Sequence, residues 1–500
     1  MKLVSILAAT LLLGTAPAAT AEPKPALYGY AVDTWRSFTA MLDPRTNLVA
    51  DNIGGDLNPV TRSKYTSPTN IGGYLWSTVV ARDLGIIDRR EASTRIDATL
   101  DTLARLKKHE PTGMYFNWYD PANGEVLRIW PEDGNPVHPF LSSVDNGWLA
   151  AALMVVRTAE PSARHKAEKL LYGMDFGFYY NPKSRGDDFP AGQLRGGFWP
   201  EKPPGCSVFD KDVYYTCNHY DILNTEPRIA SYIGIALGQI PREHYFGTYR
   251  TFPDTCDWSW LKQKPVGVHR SYLGVPVFEG TYSYNGKRFV PTWGGDMFEA
   301  LMPALFVPEE RWAPKSWGLN HPIYVQGQIE HGLGEAKYGY WGFSPASNPL
   351  GGYAAYGAPP LGMDPAGYPS DLEGTKVDYG FGECRAPGPA PQKWGDGVVT
   401  PHAVFLALPY AKDAALANLA KLKRSFGNVY GPGGFKDSIA VRSGKVADRY
   451  LSLDQAMVLG AIGNSLRHDL VRNAFTRGEI ERGIRPLLAI EEFSIRRVGT

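Results

Sequence analysis

The sequence of 500 residues carries 52 Lys and Arg against 51 Asp and Glu, a formal net charge of +1. This balance, without any block of like charges, provides no field that attracts nucleic acid or an anionic membrane, so we expect neither as a partner. Aromatic residues make up 12% of the chain, which argues against extensive disorder because disordered segments are poor in them.

The first residues have the pattern of an export signal. Lys2 precedes an apolar run over residues 3–13, and residues 19–21 read Ala-Thr-Ala, a small-x-small cleavage pattern. The run is too short to span a membrane. We therefore expect residues 1–21 to be a signal peptide. The mature protein would then be secreted without a membrane anchor, or periplasmic in a Gram-negative host.

Capped and periodic apolar segments predict mainly helices. Ser67 is a suitable cap before Pro68, and Asp88 with Glu91 resembles a capping box. About a dozen helices are predicted, over residues 28–40, 68–84, 88–106, 143–158, 161–175, 227–239, 295–306, 320–333, 401–408, 411–425, 452–466 and 468–476.

Long loops rich in Gly, Pro and aromatic residues separate these helices, and loops of such length in a compact domain are usually functional. They cover residues 109–141, 178–224, 248–293, 338–399 and 426–451. Strand-like fragments occur at Val275–Phe278 and 288–291, but no βαβ alternation follows. The pattern predicts an all-α fold, a closed (α/α)6 toroid in one catalytic domain over residues 22–500, with the loops at one mouth. A helical solenoid is the competing fold, but no repeat of fixed period is present.

The even number of cysteines predicts two disulfides in an exported protein, with three possible connectivities. Cys206 and Cys217 bracket a polar loop and are the favoured pair, which leaves Cys256 with Cys384. No CxxC or HExxH pattern is present, so we expect no metal site and no cofactor.

Four carboxylates stand where a loop meets an apolar helix: Glu226, Glu299, Asp145 and Asp454. Each alone could be an ordinary first-turn residue that complements the helix dipole. Their shared placement is more informative, because a toroid gathers its helix starts at one mouth. Glycosidic cleavage requires two carboxyl groups, one protonated and one ionised. Burial of Glu226 among neighbouring tyrosines would raise its pKa and suit it to the acid role.

Side chains in or beside the loops are candidates for sugar contacts, although core packing explains several of them equally well. These are Trp118, Tyr220, Arg228, Trp293, Trp341, Tyr353, Tyr356 and His402.

Four passages together resemble the glycoamylase-like family, which includes bacterial endo-β-1,2-glucanases and the glycosidase domain of cyclic β-1,2-glucan synthases. The first combines Thr-Ser-Pro-Thr-Asn-Ile-Gly at 66–72 with Phe-Asn-Trp-Tyr-Asp at 116–120. The others are Ser-Val-Asp-Asn-Gly at 143–147, Thr-Glu-Pro-Arg-Ile-Ala-Ser at 225–231, and Gly-Asp-Met-Phe-Glu-Ala-Leu-Met-Pro at 295–303. Their order agrees with the family, and the likeness covers about residues 28–465.

The resemblance implies an (α/α)6 barrel with an acidic cleft. Glu226 resembles the family's general acid, and Glu299 looks like the second carboxylate of the transglycosylating branch. Asp454 matches a base near the last barrel helix of hydrolases, and Asp145 would bind sugar or tune the acid. One departure is Pro345, where the transglycosylating relatives have Glu.

We therefore expect a monomeric, secreted glycoside hydrolase acting on a polysaccharide or oligosaccharide, with β-1,2-glucan the nearest substrate. A transglycosylase or a hydrolase of another glycan is the alternative. A polysaccharide lyase would require Tyr/His chemistry and a basic groove, which the neutral charge does not favour. A non-catalytic glycan-binding protein is disfavoured because all four carboxylates are intact.

Overall fold

The computed structural model describes residues 26–253, 263–363 and 395–495. The predicted signal peptide, Cys256 and Cys384 therefore lie outside the described residues. Within the described ranges, no helix combines the length and apolar character that a membrane crossing requires.

Helices provide the framework. In chain order they are α1 (Ala26–Met41), α2 (Pro68–Asp83), α3 (Arg89–Arg105), α4 (Ser143–Ala159), α5 (Arg164–Leu171), α6 (Arg228–Ala236), α7 (His244–Gly247), α8 (Met297–Leu301), α9 (Glu309–Trp312), α10 (Trp317–Glu330), α11 (Pro401–Leu406), α12 (Leu408–Ser425), α13 (Ser452–Leu466), α14 (Leu470–Thr476) and α15 (Glu479–Ile490).

Capping chemistry sets several of the boundaries as predicted. The Ser67 side chain accepts from the Asn70 N–H at the start of α2, and Asp88 accepts from the Glu91 N–H at the start of α3. The helix predicted over 295–306 is shorter. It ends at Leu301 and is followed by a 3-10 turn that opens at Pro303, because proline cannot donate to the preceding turn.

Six helices contact one another in succession around the core. Helix α2 packs between α4 and α13, α4 also contacts α6, and α13 contacts α11, which reaches α8. The Arg228 guanidinium of α6 donates to the carbonyls of Glu299 and Ala300 in α8, so α6 is also linked to α8. These contacts bring the starts of α4, α6, α8 and α13 into one region.

The long loops fold into small antiparallel sheets of two to four strands. The strands are Asn52–Gly54, Lys108–His109, Met114–Tyr115, Leu141–Ser142, Tyr180–Asn181, Gln193–Arg195, Gly197–Trp199, Ser207–Asp210, Val213–Thr216, His219–Tyr220, His269–Tyr272, Val275–Phe278, Tyr282–Tyr284, Lys287–Phe289, Ala346–Ser347, Tyr353–Ala354, Val398–Val399, Tyr430–Gly431, Gly434–Phe435, Ile439–Ala440, Lys445–Val446 and Arg449–Leu451.

Two of these strand pairings fix the positions of long loops. Strand Ser207–Asp210 pairs with Val213–Thr216, and the predicted disulfide between Cys206 and Cys217 is confirmed at the open end of that hairpin, with a Cα–Cα distance of 5.9 Å. Elsewhere, Asn52–Gly54 pairs with Arg449–Leu451, so two segments distant in sequence meet directly before α13.

Candidate active site

A cavity of about 380 Å³ opens where the helix starts converge. It is lined by Asp51, Tyr65, Ser67, Thr69, Asn70, Trp118, Trp130, Val144, Asp145, Trp148, Glu226, Tyr353, Leu451, Leu453 and Asp454. Four carboxylates and five aromatic rings therefore share one concave surface. Three of the four predicted carboxylates, Asp145, Glu226 and Asp454, lie in it.

Glu226 lies in the turn that leads into α6, with its carboxyl group in the cavity. The indole Nε1–H of Trp148 in α4 donates to Glu226 Oε2 at 2.7 Å. Burial and the nearby charge of Glu299 hold the pKa of Glu226 well above its usual value, although the Trp148 hydrogen bond opposes them. A raised pKa favours the protonated carboxyl group that a general acid requires.

Glu299 lies behind Glu226 and is absent from the cavity lining. Its Oε2 accepts the backbone N–H of Glu226 at 2.9 Å and the Thr225 hydroxyl, and its own N–H donates to Asp296 Oδ1 at 2.8 Å. Burial raises the pKa of Glu299, while these hydrogen bonds favour its ionised form. The predicted role of Glu299 as base or nucleophile does not fit this placement. We call Glu226, Glu299 and Asp296 the acid cluster.

Arg228 is buried beneath the cavity, and its donors are used within the protein. Its guanidinium pairs with Glu309, with Nε to Oε1 at 2.8 Å, and donates to the carbonyls of Thr225, Glu299 and Ala300. Because these donors are engaged within the protein, the structure gives no support to the predicted contact of Arg228 with substrate. The side chain instead holds the Thr225 carbonyl, next to Glu226, against α8.

Asp145 lies in the first turn of α4, which Ser142 caps by accepting the Asp145 N–H. The Thr69 hydroxyl donates to Asp145 Oδ1 at 2.5 Å. Burial raises the pKa of Asp145, and hydrogen bonds from Thr69 and Ser142 oppose that rise. This carboxylate is therefore held in place for a contact within the cavity.

Asp454 lies in the first turn of α13. Burial and the charges of Asp437 and Asp51 hold its pKa well above the usual value. The His402 ring approaches from α11, with Nδ1 3.2 Å from Asp454 Oδ2. Each of three residues offers one nitrogen or oxygen atom that lies within 4.8 Å of those of the other two: His402, Asp437 and Asp454. This arrangement could hold a metal ion. We call these three residues the His402 cluster.

Sequence reasoning missed Asp51 and Asp437. Asp51 precedes the strand Asn52–Gly54 and accepts from the side-chain amides of Asn70 at 2.8 Å and Asn52 at 3.1 Å. Neither aspartate stands at a helix start, the position that predicted the other four carboxylates. The motif at 66–72 contained an indirect signal for Asp51, because it includes its partner Asn70.

An aromatic surface covers part of the cavity. Tyr65 and Trp130 have ring centroids 4.5 Å apart, and Trp118 lies 5.3 Å from Trp130. Such faces suit the apolar C–H surfaces of sugar rings. The predicted residues Trp118 and Tyr353 both line the cavity, whereas Tyr65 and Trp130 were not predicted.

The remaining predicted contacts do not line the cavity. Trp341 is buried in the main core, and Tyr356 belongs to a small buried cluster with Ala346 and Val398. Trp293 packs against Phe252, with centroids 6.2 Å apart. For these three aromatic residues, packing explains the positions better than the predicted sugar contacts do.

Tyr220 and His402 do not line the cavity, although each lies near carboxyl groups that do. Burial and the charges of Glu226, Asp145 and Glu299 raise the pKa of Tyr220, so its phenol is close to those groups. Burial lowers the pKa of His402 to about 4, so its ring is neutral.

A helical scaffold with several carboxylates in an aromatic-lined cavity has the character of a carbohydrate-active enzyme. The glycoamylase family model ("Putative glucoamylase") matches residues 268–479. A second model, described only as a protein of unknown function, matches residues 29–176. The resemblance to the glycoamylase-like family that the sequence motifs predicted is confirmed.

The chain is also similar to individual proteins whose names refer to β-1,2-glucans. Over 582 aligned residues the chain is 23% identical to the cyclic β-(1,2)-glucan synthase NdvB of Rhizobium meliloti, covering 88% of this chain but only 18% of that protein's length. An endo-β-1,2-glucanase from Chitinophaga pinensis, in complex with sophorotriose and glucose, superposes with a TM-score of 0.65 at 15% identity, covering 93% and 98% of the two chains.

A β-1,2-glucanase from Parabacteroides distasonis gives a TM-score of 0.66 at 18% identity, covering 93% of this chain and 60% of that chain. At these identities the solved structures establish a shared helix-rich fold. The predicted enzyme class, a glycoside hydrolase, agrees with the glucanase names of both.

Proposed function

We propose that the protein is a glycoside hydrolase that cleaves a β-1,2-linked glucan with Glu226 as its general acid. The observation that carries the proposal is the partly buried carboxyl group of Glu226, which lies in an aromatic-lined cavity where burial and the charge of Glu299 raise its pKa. The linkage is taken from the β-1,2-glucanases that share the fold.

In the proposed reaction, Glu226 gives its proton to the glycosidic oxygen as the bond from that oxygen to the anomeric carbon breaks. Asp454, in its ionised form, takes a proton from water as base while the water oxygen bonds to the anomeric carbon. Asp454 is the preferred partner because it lines the same cavity, whereas Glu299 does not. Asp145 would accept a hydrogen bond from a sugar hydroxyl.

We further propose that the six contacting helices form the inner ring of an (α/α)6 toroid, in one domain over residues 22–500. Export is supported by the Cys206–Cys217 disulfide, because disulfides persist in oxidising compartments. A monomer remains our expectation.

The test is a screen of purified protein against linear β-1,2-, β-1,3-, β-1,4- and α-1,4-glucans, with products resolved by mass spectrometry. Shorter chains from β-1,2-glucan are the expected result. Products longer than the substrate would indicate transglycosylation instead, and no cleavage of any glucan would overturn the substrate class.

Two variants connect any activity to the site. E226Q should lose the cleavage seen with wild type. E481Q, which changes an exposed glutamate that pairs with Arg485 on α15, should retain it.

A further inference from the structure

The His402 cluster combines burial with mutual proximity. His402 is 3% exposed, Asp437 2% and Asp454 4%. They come from three separate segments, with His402 in the first turn of α11, Asp437 in the loop before the strand Ile439–Ala440, and Asp454 in the first turn of α13. One donor atom of each lies within 4.8 Å of the others, which is the spacing of ligands around one ion.

The charges in this cluster are not balanced by the described part of the protein. Asp51 adds a third carboxylate whose charge acts on Asp454. Among the described residues, no Lys or Arg forms an ion pair with Asp51, Asp437 or Asp454. A buried anion without a counter-charge is costly. A proton or a bound cation would therefore stabilise the site.

Several atoms of the cluster also lack hydrogen-bond partners. They are both ring nitrogens of His402, Oδ1 of Asp437 and Oδ2 of Asp454. The 3.2 Å contact from His402 Nδ1 to Asp454 Oδ2 does not have hydrogen-bond geometry. Buried polar groups in native proteins are nearly always satisfied, so these atoms point to a missing ligand.

A hydrogen bond from outside the cluster fixes the position of the Asp437 carboxylate. Asp437 uses its other oxygen, Oδ2, to accept the Ser347 N–H at 2.5 Å, which leaves Oδ1 without a hydrogen-bond partner. Hydrogen bonds of this kind hold ligating carboxylates in position. Asp454 also lines the cavity, which gives an ion a route of entry.

We propose that His402, Asp437 and Asp454 bind a divalent transition-metal ion of the Mn²⁺ or Zn²⁺ type. A neutral imidazole with two carboxylates suits these ions, whereas Ca²⁺ and Mg²⁺ prefer oxygen ligands throughout. A cation here would favour the ionised form of Asp454, the state that the proposed base requires. The ion site does not depend on the proposed reaction.

The test uses the purified full-length protein, dialysed against chelator and titrated separately with MnCl₂ and ZnCl₂ in a calorimeter. We expect one ion bound per chain for at least one metal. The thermal midpoint should also rise with metal concentration, because a ligand that binds only the native state stabilises it. If neither titration gives stoichiometric binding, the proposal is wrong.

Variants locate the ion. D437N and H402Q should each weaken binding at least tenfold, and circular dichroism checks that they fold. D413N and H165Q change exposed residues of α12 and α5 and should bind like wild type. Wild-type affinity in both D437N and H402Q would place the ion elsewhere and overturn the assignment.

The two proposals fail separately. E226Q, which removes the proposed acid, should bind metal with wild-type affinity because Glu226 is not a ligand. Loss of glucan cleavage in E226Q therefore bears on the acid alone, and metal binding measured without glucan bears on the cluster alone.

Discussion

The acid cluster and the His402 cluster both gather carboxyl groups beside the cavity, yet their surroundings differ. In the acid cluster, Glu299 accepts a backbone N–H and a hydroxyl, and the indole of Trp148 donates to Glu226. In the His402 cluster, buried atoms of all three members lack partners, whereas in the acid cluster only Oδ2 of Asp296 does. Burial raises carboxyl pKa values in both. The surroundings of the first cluster favour a proton on Glu226, and those of the second favour a proton or a bound cation.

The largest expected effect tests the second cluster. D454N removes the proposed base, so kcat on β-1,2-glucan should fall about 10²- to 10⁴-fold, the usual contribution of general base catalysis. Glucan binding should change little. Reducing-end release and calorimetry measure the two quantities. D413N is the control, and a kcat within a factor of two of wild type in D454N would exclude Asp454 as base.

The next effect concerns the support of the acid cluster. R228M leaves Glu309 buried without its partner, so the free energy of unfolding should fall by about 3–5 kcal/mol near neutral pH. Arg228 contributes to holding the pKa of Glu309 at about 2. Because the pKa of Glu309 is lower in the folded protein than in the unfolded chain, where it is about 4.5, its ion pair with Arg228 stabilises the fold above about pH 4.5. This stabilisation is lost as the pH falls toward 2.

The gap in unfolding free energy between wild type and R228M should therefore narrow below about pH 4.5. Chemical denaturation at several pH values measures it. R485M, which breaks only the exposed pair with Glu481, should cost less than about 1 kcal/mol. Equal costs for the two arginines would contradict the structural role of Arg228.

A smaller effect tests how the acid is tuned. The charge of Glu299 raises the pKa of Glu226, so E299Q should lower it. Activity that depends on protonated Glu226 would then be lost at a lower pH, and the alkaline limb of the kcat profile should move toward acid pH. E481Q should leave that limb unchanged. A limb that stays in place in E299Q would show that Glu299 does not act on the acid.

The smallest effect tests the cavity wall. W118A removes one aromatic face, and a partly buried contact worth about 1.4 kcal/mol corresponds to a roughly tenfold weaker glucan affinity. F209A, which removes an exposed ring outside the cavity, is the control. Equal affinities for the two variants would remove Trp118 from the binding surface.

The sequence predicted best where local chemistry sets the structure. Ser67 and Asp88 cap helices as expected, because capping depends on residues within one turn. Helix starts then led to Glu226, Asp145 and Asp454. The hairpin disulfide between Cys206 and Cys217 was likewise a local inference.

The misses depend on long-range contacts. Asp437 joins Asp454 through the folding of a loop that carries no helix-start signal, and Asp51 meets the start of α13 through a strand pairing across about 400 residues of sequence. Glu299 also lies at a helix start, but its carboxylate accepts the Glu226 N–H and does not line the cavity. Such details depend on packing, which no local pattern encodes.

The most direct test of the central claim compares two leaving groups in wild type and E226Q. We predict that E226Q loses about 10²- to 10⁴-fold in kcat on β-1,2-glucan, whose sugar leaving group must be protonated. It should lose far less on the 2,4-dinitrophenyl glycoside of the β-1,2-linked glucose disaccharide, whose leaving group departs without a proton. Equal losses on both substrates, or full turnover of glucan by E226Q, would contradict Glu226 as the general acid.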